Sequence, residues 1–299
     1  MSDGPDLDVK RCAKCAAWIP ATATMCAYCN STSPDEPLAR PRGAAFSIRH
    51  GYSATTVLIA ANLAYFLFSL FVQYRATPQG NPLQWALTGS GLHAGLEDAG
   101  AYRHEAVFVE HEWWRVLCAT FLHAGGLHIA MNMFALKQLG GLAETLFGPA
   151  KFVTVYVISG ICSCLAVSVW YAGARGLPPA EIPGLVGASG AIFGVAGLLI
   201  TYLIRAGTER GRAIAMAIGK NIVLMLVVGL FVPFISQVGH VGGLLPGLAF
   251  GFLLRGEFGN RLNLRSQSAW FRVAFVCVAA VVVSLVAGAW FAFGHMGGR

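Results

Sequence analysis

Charge is what this chain has least of. Asp, Glu, Lys and Arg make up 12% of its 299 residues, about half the share usual in soluble proteins. Hydrophobic residues make up 56%. That balance excludes the pair of soluble domains that the length alone would suggest. Carboxylates are scarcest, with 14 Asp and Glu in total. No intramembrane chain of carboxylates and no internal repeat is visible, which argues against a transporter carrying protons or ions. No cleavable signal sequence is expected ahead of the first span, because residues 1–53 are polar, contain proline and are longer than an n-region.

What is present is a series of apolar stretches, at about 55–73, 127–147, 152–172, 188–204, 217–235, 239–254 and 271–293. Each is near the ~20 residues that span a hydrocarbon core of about 30 Å, although 239–254 is short. The expected fold is an all-α polytopic membrane protein.

Lys and Arg set its orientation. Fifteen fall on the side of the N-terminus: Lys10, Arg11, Lys14, Arg40, Arg42, Arg49, Lys151, Arg205, Arg210, Arg212, Lys220, Arg255, Arg261, Arg265 and Arg272. Five fall opposite: Arg75, Arg103, Arg115, Arg175 and Arg299. The positive-inside rule puts the N-terminus in the cytoplasm and the C-terminus outside. This topology accounts for the net charge of +7 without a nucleic-acid partner, and sets the basic loops near anionic lipid.

Ahead of the first span, Cys12, Cys15, Cys26 and Cys29 form two C-x-x-C pairs. Four thiolates at this spacing close one tetrahedral Zn²⁺ site with no open position, so the zinc is structural. A disulfide reading conflicts with a reducing cytoplasm. The expected domains are a zinc-ribbon-like head at 1–30, a flexible linker at 31–53, a membrane core at 54–255, and a loop with an extra helix at 256–299. Cys118, Cys162, Cys164 and Cys277 lack ligand spacing and read as small apolar side chains.

Two apolar stretches hold a residue that a bilayer should reject, Ser189 in one and His240 in the other, and a third segment adds His128 and Asn132. Ser189 lies in G187-A-S-G-A-I-F-G194. Its neighbours Gly187 and Gly190 permit close backbone approach. The start of a helix there offers unpaired N–H groups, which suit an oxyanion beside a nucleophile. A plain helix N-cap is the alternative. His240 is followed by Gly243, Gly247 and Gly251, which share one helix face. Gly190, Gly194 and Gly197 form a matching stripe, so the spans can pack closely and bring Ser189 to His240. His128 and Asn132 are four apart on one face, either as hydrogen-bond donors to a common point or as interhelical contacts. No carboxylate lies beside either motif: Asp98, Glu105, Glu110 and Glu112 fall in the first long loop, and Glu144 at the far end of span two. The expected arrangement is a Ser–His dyad and not a triad.

These motifs resemble those of the rhomboid family of intramembrane serine proteases. The resemblance covers about residues 50–255 and rests on W114-R115, T120-F121-x-H123, H128-x-x-x-N132-M133, G140-x-x-x-E144-x-x-x-G148, G187-A-S-G-A-I-F-G194 and H240-x-x-G243-x-x-x-G247-x-x-x-G251. It implies a six-helix bundle, with the seventh span as an extra C-terminal helix. It implies Ser189 as nucleophile, His240 as general base, and His128, Asn132 and the Ser189 N–H as the oxyanion site. Trp114, Arg115, His123, Glu144, Gly187, Gly190, Gly243 and Gly247 would be structural or substrate-supporting. The implied substrates are transmembrane segments of other membrane proteins, cut without a catalytic cofactor in a bacterial plasma membrane. Departures are Gly239 before the histidine, Pro246 within span six, and Lys137 within span two, a cost in lipid unless it faces a polar interior. A bend around Gly239 and Pro233, with span 217–235, would gate substrate entry. A non-proteolytic membrane-client binder of the same fold is the alternative.

Overall fold

The computed structural model describes residues 9–12, 18–20, 22–26, 32, 53–89, 91, 93–232, 235–254 and 264–296. Two short strands come first, β1 (Val9–Arg11) and β2 (Trp18–Pro20). They pair antiparallel with Arg11 opposite Trp18. Cys12 and Cys26 are buried in one small cluster with Ala23 against it. Cys15, Cys29 and all of the expected linker except Thr32 and Ser53 lie outside the described residues.

Helix α1 (Ala54–Ala76) begins at a double cap. Ser53 Oγ accepts the Thr56 N–H at 3.1 Å. Glu144, far along the chain, accepts the Ala54 N–H at 2.8 Å, the Thr55 N–H at 3.0 Å and the Thr55 hydroxyl at 2.8 Å. One carboxylate thus satisfies donors that a helix start leaves open, and its charge suits the positive end of the helix. The long connection that follows holds four short helices: α2 (Pro82–Thr88), α3 (His93–Asp98), α4 (His104–Phe108) and α5 (Arg115–Cys118).

Expected spans two and three form one run, α6 (Gly126–Ser168), broken at Gly148 with φ +78° ahead of Pro149. A methyl at Gly140 would lie 3.0 Å from Phe152 Cζ. In a straight helix, residues twelve apart are separated by about 18 Å. The chain therefore folds back at Gly148, and its halves are two helices. A π-helical turn, Val169–Ala174, ends the second.

Then come α7 (Ser189–Arg205), α8 (Glu209–Phe231), α9 (Gln237–Leu253) and α10 (Leu264–Met296). Helix α8 starts well before the expected 217. Gly207, at φ +71°, ends the preceding turn, and Thr208 Oγ1 accepts the Gly211 N–H at 3.0 Å. Arg210 and Arg212 consequently belong to the first turns of a helix and not to a loop. Helix α9 starts at a Ser236 cap on the Gly239 N–H and continues through Pro246. Helix α10 extends beyond 271–293 at both ends, since hydropathy marks only its apolar middle.

Among the described residues, four helical runs are long and apolar enough to cross a membrane by length and composition: Ala54–Ala76, Gly126–Ala174, Glu209–Phe231 and Ser268–Gly294. Helices α7 and α9 are shorter apolar helices of 17 residues each. These runs mark an integral membrane protein. Helix α7 is the centre of the bundle, packed on α9, α6 and α8.

The α7–α9 contact is backbone on backbone. A methyl at Gly243 would collide with the Gly190 carbonyl, one at Gly247 with the Gly194 carbonyl, and one at Gly251 with the Leu198 carbonyl. The two glycine stripes meet as their spacing suggested. Arg205 closes the far end by donating from Nη1 to the Gly251 carbonyl at 2.9 Å and to that of Phe252. Lys137 is exposed on the outer surface of α6, so no polar interior houses it.

Candidate active site

Ser189 is the first residue of α7, and the N-cap position belongs to Ala188. The N-cap reading of Ser189 therefore does not hold. Its Oγ instead lies 2.8 Å from His240 Nε2, within hydrogen-bonding distance. His240 sits in the first turn of α9, 6% exposed. The glycine contacts set this distance, because they fix how near the two helix starts approach.

Two features characterise the imidazole. Phe193, one turn beyond Ser189 on α7, stacks on it with centroids 4.2 Å apart and planes 7° from parallel. His240 Nδ1 is buried without a protein hydrogen-bond partner among the described residues. The ring is thus oriented by an aromatic face, not by a carboxylate. Phe193 lies within the Ser189 motif, and its i, i+4 spacing from Ser189 is the sequence signal that puts the two on one helix face.

His128 approaches from α6. The Ala124 N–H donates to its Nδ1 at 3.3 Å, so a neutral ring carries its proton on Nε2. That nitrogen lies over Gly187, where an added Cβ would be 2.9 Å from it and 3.7 Å from Ser189 Oγ. Gly187 has φ +125°, a conformation that L side chains rarely adopt. Both the backbone angle and the His128 ring demand glycine here. The Gly187 N–H is held by the Ala119 carbonyl at 2.8 Å.

Asn132 follows one turn after His128, 7% exposed. Its Nδ2 is buried without a protein partner among the described residues. His123 packs edge-on against His128, centroids 5.1 Å apart. Burial, with His128 alongside, pushes the His123 imidazole down to about 3, so it stays neutral. Gly190 and Gly194 are also pressed by Ser163 and Ser159 of α6, so three helices converge on the start of α7.

Trp114, Arg115 and Glu144 stand away from the Ser–His pair. Arg115 Nη1 donates to the Glu97 carbonyl at 2.6 Å and the Ala101 carbonyl at 3.3 Å, and its Nε pairs with Glu112. The guanidinium lies 4.7 Å from the Trp114 ring centre. Trp114 and Arg115 tie the first long loop together, while Glu144 caps α1.

Among the described residues no group of three or more His, Cys, Asp or Glu is placed to hold a metal. Two of the four expected ligands, Cys12 and Cys26, are described and share a buried cluster.

Comparison with known proteins follows the same segment of chain. Residues 110–257 match the rhomboid domain. "Rhomboid protease GluP" of Bacillus subtilis is 32% identical over 54% of this chain and 30% of its own length. "RHOMBOID-like protein 1" of Arabidopsis thaliana is 31% identical over 71% of this chain and 57% of its own. "Putative rhomboid protease YdcA" of Bacillus subtilis is 27% identical over 68% of this chain and 87% of its own. This chain thus spans less than two thirds of the first two of these relatives.

Proposed function

We propose that this chain, whose residues 110–257 match the rhomboid domain, is an intramembrane serine endopeptidase that cuts transmembrane segments of other membrane proteins. The observation that carries this reading is the 2.8 Å contact between Ser189 Oγ and His240 Nε2. Ser189 attacks the scissile carbonyl as His240 Nε2 takes its proton. The carbonyl oxygen becomes an oxyanion, received by His128 Nε2–H, Asn132 Nδ2–H and the Ser189 backbone N–H. The intermediate collapses as His240 hands its proton to the leaving amine, and the C–N bond breaks. Water, deprotonated by the same imidazole, then releases the acyl group from Ser189. The imidazolium formed on the way meets the Phe193 face, which favours a cation.

Asn132 Nδ2, buried without a hydrogen-bond partner among the described residues, supports the oxyanion role. So does the His128 tautomer, whose Nε2–H lies beside the Ser189 turn. Helix α8 is the proposed entry side. It packs on α7 and only lightly on α9, and Val223, Val227, Leu230 and Phe231 are exposed along it. Of the bend expected around Gly239 and Pro233, Gly239 lies inside α9 and Pro233 lies outside the described residues. Preferred substrate helices unwind easily and carry a small residue before the cut, since a helical carbonyl is shielded by its own hydrogen bond.

The proposed topology has seven spans, with α6 counted as two, in a bacterial plasma membrane with a cytoplasmic N-terminus. A structural Zn²⁺ in the head fits what is described of it. The first Cys pair falls in sequence between the paired strands β1 and β2, and Cys12 is buried with Cys26. Cys12, Cys15, Cys26 and Cys29 would hold the ion. Cleavage of a reconstituted transmembrane substrate by the wild type, abolished in Ser189→Ala and in His240→Ala, is the test. Client retention without cleavage by the wild type would instead favour a binder.

A further inference from the structure

Helix α10 does not stand apart as a membrane anchor. Three positions on one face, Ser284, Gly288 and Phe291, press on the segment that leads to the Ser189 turn. Cys118 Sγ–H donates to the Ser284 carbonyl at 3.0 Å. A Cβ at Gly288 would lie 3.1 Å from both the Ala99 carbonyl and Trp114 Cζ3, and would collide with Tyr65 Oη. Phe291 packs on Trp114 at 5.4 Å and lies 5.1 Å from the Arg115 guanidinium carbon. Trp290, on the other side of the helix, is 82% exposed.

Two hydrogen-bonded routes then run from this contact to the nucleophile. Arg115 and Trp114 open α5, which ends next to Ala119, and the Ala119 carbonyl holds the Gly187 N–H at 2.8 Å. Tyr65 Oη donates to the Ala99 carbonyl at 2.9 Å. Arg115 holds the Ala101 carbonyl, and Tyr102 exchanges two backbone bonds with Leu185, each 3.0 Å. Leu185 and Gly187 lead directly into Ser189.

We propose that α10 is a positioning element for the Ser189 turn, acting through Phe291 and Gly288 on the segment 99–119. This rests on the reading of Ser189 as nucleophile. The physical reason is that a nucleophile's rate depends on ångström-level placement. Gly187, with its φ +125°, holds that placement only while Ala119 and Tyr102 stay where α10 pins them. Phe291 and Gly288 touch no reacting atom.

The test uses full-length protein in liposomes, with four variants: Phe291→Ala, Phe291→Tyr, Gly288→Ala and the control Trp290→Ala. Gly288→Ala favours helix formation while wedging α10 away from Tyr65 and Trp114, so it reports even if Phe291→Ala folds poorly. The readouts are kcat and KM for a transmembrane substrate, the rate of Ser189 acylation by a fluorophosphonate, and Tm. We expect Phe291→Ala and Gly288→Ala to lower kcat and the acylation rate by about 10-fold or more, with KM nearly unchanged. Phe291→Tyr should recover the rate, and Trp290→Ala should match the wild type. Wild-type kcat and acylation in both folded α10 variants, whatever their Tm, would overturn the positioning role, as would an equal loss in Trp290→Ala. A wild-type protein that neither cleaves nor acylates would overturn the protease reading on which the proposal rests.

Discussion

Phe193 and His240 lie face to face, 4.2 Å between ring centres and 7° from parallel. The helix that carries Ser189 thereby also carries the surface against which the proposed base rests. A single helix carries Ser189 and holds the plane of the imidazole. This does geometrically part of what a carboxylate on Nδ1 does in a triad.

Removing that contact should be measurable. Phe193→Ala should lower kcat by about 10- to 100-fold, as misorientation near a reacting atom does, with KM little altered. Phe193→Tyr keeps the ring and should retain most of the rate. Steady-state kinetics on a reconstituted transmembrane substrate check both.

The proposed oxyanion donors should act on turnover and not on binding. His128→Ala or Asn132→Ala should each lower kcat by about 10- to 1000-fold, the range for one lost donor. Substrate affinity, measured in a Ser189→Ala background, should barely change. Lost affinity with turnover preserved would make the two residues substrate contacts.

Glu144 should matter for stability and little for chemistry. Glu144→Ala leaves the Ala54 and Thr55 donors without the partner they have now. Loss of charged hydrogen bonds of this kind costs about 1–3 kcal/mol, so Tm in detergent should fall. Well below that Tm, kcat should stay near the wild-type value.

The head should bind one Zn²⁺ per chain, seen by metal analysis of purified protein. Cys12→Ser combined with Cys29→Ser takes one thiolate from each pair and should remove the metal. Proteolysis by the correctly inserted mutant should persist. Complete loss of turnover would make the head a regulator of the membrane domain.

Much of the site was legible because glycine and polar residues in apolar runs have few reasons to be there. Gly190, Gly194, Gly243 and Gly247 announced a helix contact by spacing alone, and Ser189 and His240 stood at its edge. The start of α8 was not legible from hydropathy. The cap at Thr208 lies ahead of Glu209, Arg210 and Arg212, and a hydropathy reading starts only after the charges. The His128 tautomer and the Phe193 stack depend on atoms from separate segments, Ala124 on one side and α9 on the other. The contact of Phe291 with Trp114 joins residues far apart in the chain and leaves no periodic trace in either.

The central claim is that Ser189 is a nucleophile activated by His240. Its most direct measurement is the labelling of the purified, reconstituted protein with a fluorophosphonate, followed by mass spectrometry of the modified peptide. The expected result is a single adduct on Ser189, absent in Ser189→Ala and strongly slowed in His240→Ala. A wild-type protein that stays unlabelled, or that is labelled equally fast in His240→Ala, would contradict it.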